Sequence, residues 1–274
     1  MRYLIVCLAL LALAACRPEA PQSPQAATQS PAAAEEVQPL EEDEPVPELK
    51  DTVETDPRFI IGISYPPEAN RHPGLAAELH RYTGEARAEL MKAVEERGEA
   101  GGGPYDLSLA FSTVVGTPRI LAIAADGSIF TGGAHAAPLV ARFVWLPDQD
   151  RALAIGDLFP ADAAWRDISA QVREQLHAAL SQRIDADEFE PGERERIVRT
   201  AGRMIDEGTT PESENFSQYE PVLDAGGRIQ ALRFVFPPYQ VGPYSDGNQV
   251  VEVPASVLLP HVAPQYRELF AGGQ

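Results

Sequence analysis

The chain has 274 residues and a formal charge of −19, with 44% hydrophobic residues and 25 prolines. This length suffices for one large domain or two small lobes, and the hydrophobic content suffices for a buried core. The charge excludes a phosphate-binding surface, which needs a basic stripe that the sequence does not contain, so no nucleic-acid partner is expected.

The first fifteen residues read as a targeting segment. Arg2 supplies a positive start, Tyr3 to Ala12 form an apolar run too short to span a bilayer, and Leu13-Ala14-Ala15-Cys16 ends a small-residue cleavage site on a cysteine. This arrangement resembles the bacterial lipobox, in which the cysteine is acylated and becomes the new N-terminus. Two or three acyl chains, at roughly 0.8 kcal/mol per buried methylene, hold a protein on a membrane almost irreversibly. Lipidation is therefore expected at Cys16, with the membrane as a partner and the cell envelope as the location. In a cell with two membranes, Arg17 is not the aspartate that resembles an inner-membrane retention signal, which favours the periplasmic face of the outer membrane. The other cysteine, Cys7, lies in the discarded segment, so the mature chain has no disulfide.

Residues 16–56 then read as a disordered acidic tether. Residues 17–56 hold eleven acids against Arg17 and Lys50, a net −9, with no aromatic residue and many Pro, Ala, Gln and Ser. Such a composition cannot bury enough apolar surface to offset its ordering entropy. Its reach is on the order of 35 Å as a coil and roughly 120 Å if stretched toward polyproline II.

Folded structure is expected over 57–274. Phe59, Ile61, Ile63 and Tyr65 alternate as in a strand, and Pro66-Pro67 stops them. Leu75, Leu79, Tyr82, Ala86, Leu90 and Val94 mark a helix from about Gly74 to Arg97, which Glu99 to Pro104 breaks. Tyr105 to Val115 has a clean period of two. Arg119 to Ala125 reads as a strand leading into an Asp126-Gly127 turn, and Leu139 to Leu146 as another strand. Trp165, Ile168, Val172, Leu176, Leu180 and Ile184 form the stripe of a long helix after Pro160, and a second helix opens at Pro191 and ends at Gly208. Tyr219 to Leu223 and Ile229 to Phe236 read as a hairpin around Asp224 to Gly227, and Val250 to Val253 as a closing strand. The order of elements predicts an α+β fold, a mainly antiparallel sheet packed with two or three amphipathic helices, in one body or two small lobes.

Three stretches are unusual for plain scaffold. Gly132-Gly133-Ala134-His135 offers a backbone free to adopt positive φ beside a titratable ring. Asp157-Leu158-Phe159 lies in a tight apolar turn feeding the long helix. Phe236 to Gly247 is a proline-rich loop carrying Tyr239, Pro243 and Tyr244, suited to stacking on a sugar or clamping a partner. No HExxH or Gly-x-Ser-x-Gly motif is present, and the other histidines (His72, His80, His177, His261) lack ligand-like spacing. No catalytic residue, metal or cofactor is therefore assigned. A structural His135 bonding a backbone carbonyl is the favoured reading, and a peptidoglycan-directed hydrolase using His135 the alternative. The carboxylates Asp187, Glu188, Glu190, Glu193 and Glu195 around a helix start read as a solvated face.

Taken in order, these stretches resemble the extracytoplasmic domain of unknown function shared by RsiV-type lysozyme-sensing anti-sigma factors and PdaC-type peptidoglycan deacetylases. The resemblance rests on Gly132, Gly133 and His135, on Asp157-Leu158-Phe159, and on Phe234 through Tyr239, Pro243, Tyr244 and Gly247, then Val250 to Val253. It spans roughly Arg58 to Leu259. The chain departs from those proteins in showing no sigma-binding segment, no membrane-spanning helix and no deacetylase domain. The resemblance implies a non-catalytic binding domain, with peptidoglycan or a basic lysozyme-like protein as candidate partner.

Overall fold

The computed structural model describes residues 48–98, 102–186 and 189–273. The targeting segment, Cys16, most of the tether, Glu99 to Gly101 of the helix breaker, and Asp187 and Glu188 of the acidic cluster lie outside them. The chain from Pro45 to Gln274 forms one compact unit. No helix among the described residues is long and apolar enough to cross a membrane.

A six-stranded sheet runs in the order β1 (Thr52–Asp56), β2 (Phe59–Ser64), β3 (Tyr105–Gly116), β4 (Leu121–Phe130), β5 (Ala137–Leu146) and β6 (Arg151–Ala152). Every neighbouring pair is antiparallel except β2 and β3, which are parallel because helix α1 (Pro73–Arg97) carries the chain from one to the other. The second half contains the short helix α2 (Ile155–Leu158) and the long helices α3 (Asp162–Ala186) and α4 (Pro191–Gly208). Then comes an antiparallel sheet β7 (Tyr219–Leu223), β8 (Ile229–Phe236), β9 (Gln249–Pro254), and a final short helix α5 (Ala255–Leu258). The architecture is α+β and mainly antiparallel, as the element order predicts.

Two cores explain the sequence periodicities. Leu75, Leu79, Leu90 and Val94 of α1 pack on Ile61, Leu107, Leu109 and Ile123 of the six-stranded sheet. Trp165, Ile168 and Val172 of α3 pack with Phe216, Phe234 and Phe236 around the three-stranded sheet. β4 serves both: Leu121, Ile123 and Ala125 face the first core and Ala122 the second, so five consecutive residues are buried and alternation disappears.

Three sequence expectations are corrected. The tether does not extend to 56, since Leu49 is buried and both its backbone groups bond the Asn70 side chain, its N–H to Oδ1 at 2.9 Å and its carbonyl to Nδ2 at 3.0 Å. Thr52–Asp56 then pairs with β2, and Glu54 of this strand forms a two-pronged ion pair with Arg87 of α1 at 2.6 and 2.7 Å. The low average hydrophobicity of 16–56 concealed the β-branched pattern Thr52, Val53, Thr55 at its end.

Asp126-Gly127 is not a turn but the interior of β4, paired to Ala110 and Leu109 on one side and to Val140 and Leu139 on the other. Glycine is required there by close approach: a Cβ at 127 would lie 2.0 Å from the Ser108 carbonyl oxygen. The Asp157-Leu158-Phe159 stretch, expected as a turn, supplies the last two residues of α2 and the residue that caps it, and the helix's apolar residues Ile155 and Leu158 enter the second core.

Candidate recognition site

The two motif loops, 104 residues apart, meet in space. β5 begins immediately after the Gly132–His135 loop, and β8 ends immediately before the Pro237–Gly247 loop. His135 Nε2 lies 2.9 Å from the Tyr239 hydroxyl, and its ring stacks on Tyr244 with centroids 4.1 Å apart and planes 15° from parallel. Tyr239 and Tyr244 complete the triangle at 5.8 Å. His135 Nδ1 faces the Ala136 carbonyl at 3.3 Å. The hydrogen-bond network therefore assigns the proton to Nδ1, leaving Nε2 to accept from the Tyr239 hydroxyl. The cluster faces solvent, with Tyr239 52% and Tyr244 37% exposed.

Each loop is held from beneath. Gly132 and Gly133 both take φ of 100°, which a β-carbon disfavours. A Cβ at 132 would lie 3.6 Å from the Tyr105 hydroxyl, so the loop rests against that ring. The Arg97 guanidinium covers the Tyr105 ring at 4.0 Å and donates to the carbonyls of Gly103 at 2.7 Å and Arg58 at 2.8 Å.

In the other loop, Tyr239 itself has φ of 75°, a left-handed conformation costing of order 1 kcal/mol for a bulky residue. Its N–H bonds the Gly242 carbonyl at 2.8 Å. Beside it, the Gln240 side-chain amide donates to the carbonyls of Gly208 at 3.0 Å and Asn215 at 2.8 Å, and Arg183 of α3 binds Asp246 at 2.7 Å. Pro243 precedes the 3-10 turn of Tyr244–Asp246, and Gly247 leaves that turn with φ of 64°. The strained backbone at this exposed aromatic residue is thus held by the Arg183 side chain of α3 and by backbone carbonyls at the end of α4 and just beyond it.

Asp157 belongs to a different group. Its exposed carboxylate is 3.4 Å from Arg151, whose guanidinium also binds the Tyr266 hydroxyl. Nearby, Tyr219 is fully buried, donates to the Leu153 carbonyl at 2.5 Å, and has its hydroxyl pKa pushed up by that burial. This knot joins α2 to the second core and does not contribute to the aromatic face. Among the described residues, no three His, Cys, Asp or Glu side chains gather as a metal site would require.

Sequence reasoning overlooked a second feature, a groove of about 550 Å³ beside β5, with Tyr82, Arg142, Phe143, Trp145, Glu214 and Gln218 in its walls. Arg142 there makes a buried ion pair with Glu220 of β7 at 2.6 Å, the two side chains 7% and 9% exposed. A lone arginine within the apolar run Ala137–Leu146, and a lone glutamate within Tyr219–Leu223, were the available signals.

Residues 156–256 match the model of a domain family described as a protein of unknown function, DUF3298. The match takes in Asp157, Tyr239, Pro243, Tyr244 and Gly247; Gly132, Gly133 and His135 precede it. No curated protein matches the chain. Among solved structures, a DUF3298 family protein from Pseudomonas aeruginosa PAO1 is similar at 17% identity and a TM-score of 0.51, over 84% of this chain and 99% of that one. A DUF3298 family member from Bacteroides fragilis is similar at 16% identity and a TM-score of 0.47, over 80% and 95%.

Proposed function

We propose that this chain is a lipid-anchored envelope protein, attached to the membrane through Cys16, whose DUF3298-type domain is a non-catalytic binding module. Its recognition face is the His135–Tyr239–Tyr244 cluster. The observation that carries the reading is the convergence of two separate loops into one solvent-facing aromatic surface with a strained backbone at Tyr239. Aromatic rings stack on sugar faces and supply large contact areas at low entropic cost, which suits a cell-wall glycan or a protein partner. Charge favours the second: residues 57–274 hold nineteen Lys and Arg against thirty Asp and Glu, a net −11, which attracts a basic protein such as lysozyme. The resemblance to RsiV-type and PdaC-type extracytoplasmic domains points the same way. In a cell with two membranes, the periplasmic face of the outer membrane is the proposed location.

The hydrolase alternative draws less support. That reading requires His135 to stand with carboxylates in a cleft, and among the described residues His135 is in no ion pair, its ring nitrogens facing the Tyr239 hydroxyl and the Ala136 carbonyl.

Calorimetry of the purified protein against lysozyme and against solubilised peptidoglycan fragments, at two salt concentrations, tests the proposal. The expected result is saturable, salt-sensitive binding of lysozyme that Tyr239→Ala weakens at least tenfold. Binding of fragments alone would make the glycan the ligand. Binding of either that Tyr239→Ala and Tyr244→Ala leave untouched would remove the aromatic face from the proposal.

A further inference from the structure

The six-stranded sheet stops short at one edge. β6 pairs with β5 only at Trp145 and Leu146, Leu153 N–H adds one bond to the Val144 carbonyl at 2.8 Å, and the chain then turns away into α2. Backbone groups along an antiparallel edge point outward at every second residue. Val144 is one such residue; Arg142 and Val140 are the next. The outward N–H of Arg142 donates to no strand but to the Gln218 side-chain carbonyl at 2.7 Å. The Arg142 carbonyl and both backbone groups of Val140 have no hydrogen-bond partner among the described residues. An unpaired edge of this kind is a template for another strand, and a glutamine amide standing in for a strand carbonyl is a device that guards it.

The groove of about 550 Å³ lies along this edge. Helix α1 forms one lip, where the Tyr82 ring meets Phe143 edge-on at 5.6 Å, and the segment Ser213–Tyr219 forms the other. Both lips carry surplus negative charge. On α1, Arg81 is shared between Glu78 at 2.6 Å and Glu85 at 2.5 Å, one cation for two carboxylates. Opposite, Glu214 and its neighbour Glu212 are in no ion pair among the described residues. The groove's other cation, Arg142, is taken up by Glu220 and Asp126.

We infer that the outer edge of β5 takes an extended basic peptide from a partner protein by strand addition, its backbone pairing with Val140 and Arg142 in place of the Gln218 side chain. Side chains of such a peptide alternate between the two lips. Apolar residues meet Tyr82 and Phe143 on the α1 side, while lysines or arginines meet Glu214 on the other. Main-chain pairing supplies affinity and the acidic lips select for sign.

Fluorescence anisotropy of the purified protein with a labelled peptide of four Lys-Val repeats tests this, alongside the same peptide N-methylated at alternate residues. The expected result is saturable binding that weakens at least tenfold between low and high salt and at least tenfold on N-methylation. Glu214→Lys, an exposed substitution, should also weaken it severalfold. Val140→Pro, which removes an outward N–H on an edge where proline is tolerated, should abolish it while circular dichroism stays native. Absent binding at low salt, or equal binding of the methylated peptide, would overturn strand addition. Should Val140→Pro misfold, the methylated peptide decides the question with the unaltered protein.

Discussion

The Arg142–Glu220 pair joins the six-stranded sheet to the three-stranded one, and removing Glu220 tests how much that junction contributes. Glu220 accepts from Arg142 Nε at 2.6 Å and from Arg233 at 3.4 Å. In Glu220→Ala, Arg142 keeps Asp126 at 3.1 Å, a partner half exposed to solvent, and Arg233 keeps Glu252 at 2.7 Å. Breaking a buried ion pair by deleting one member costs roughly 3–5 kcal/mol, because the survivor is left desolvated. The residual Asp126 contact puts Glu220→Ala at the lower end, about 3 kcal/mol. Glu220→Gln retains an acceptor and should cost about 1–2 kcal/mol. With a urea slope of about 3 kcal/mol/M, the unfolding midpoint should fall by about 1 M for alanine and about half that for glutamine. Replacing both partners with apolar residues, Arg142→Met with Glu220→Leu, should recover most of the loss. Urea titrations followed by far-ultraviolet circular dichroism measure the wild type, these three variants and the single variants Arg142→Met and Glu220→Leu. A midpoint shift below about 0.2 M for Glu220→Ala, or a double variant as damaged as the sum of its parts, would refute the reasoning.

Three further outcomes are expected. Tyr239→Gly relieves the positive φ and should leave thermal stability equal or slightly raised, by up to about 1 kcal/mol, while ligand binding falls; parallel melting and calorimetry would expose a loss of both instead. Gly208→Ala places a Cβ 2.0 Å from the Gln240 carbonyl oxygen, so it should destabilise the domain by about 1–3 kcal/mol and weaken binding at the aromatic face, read by the same two assays. The hydrogen bonds from Arg87 hold the Glu54 carboxyl below its ordinary pKa. That stabilisation is complete above the unfolded pKa of about 4.3 and is lost as pH falls through the lower folded value. The pair is partly exposed and worth only a few tenths of a kcal/mol, so hydrogen exchange of β1 amides in wild type and Glu54→Gln, compared at pH 6 and pH 3, is the suitable probe. The two proteins should differ at the higher pH and converge at the lower.

Local periodicity made much of the fold legible. β3, buried on one side, shows a period of two over Leu107, Leu109 and Phe111, and α3 shows its stripe from Trp165 to Ile184 without interruption. What escaped was set by neighbours rather than by the segment itself. Asp126-Gly127 has the composition of a turn, but strands on both sides claim its backbone and the glycine answers a contact with Ser108. β1 is five residues at the end of a long polar stretch, and Asn70, which ties down Leu49 just before it, is a surface residue with no distinguishing pattern. The two loops at His135 and Tyr239 stand out by their glycines, prolines and tyrosines. Their meeting depends on how one sheet lies against another, which no local window contains.

The lock between Leu49 and Asn70 has a mechanical consequence. Any pull transmitted along the N-terminal segment reaches the domain at Leu49, whose N–H and carbonyl are both tied to one side chain just ahead of α1. Tension thus enters a buried residue and the foot of a 25-residue helix before it can peel β1 from the sheet edge. β5, whose start sets the histidine loop, lies three strands in from β2 and four from β1. A pull on that segment would load the opposite margin of the sheet and leave the His135, Tyr239 and Tyr244 rings in register.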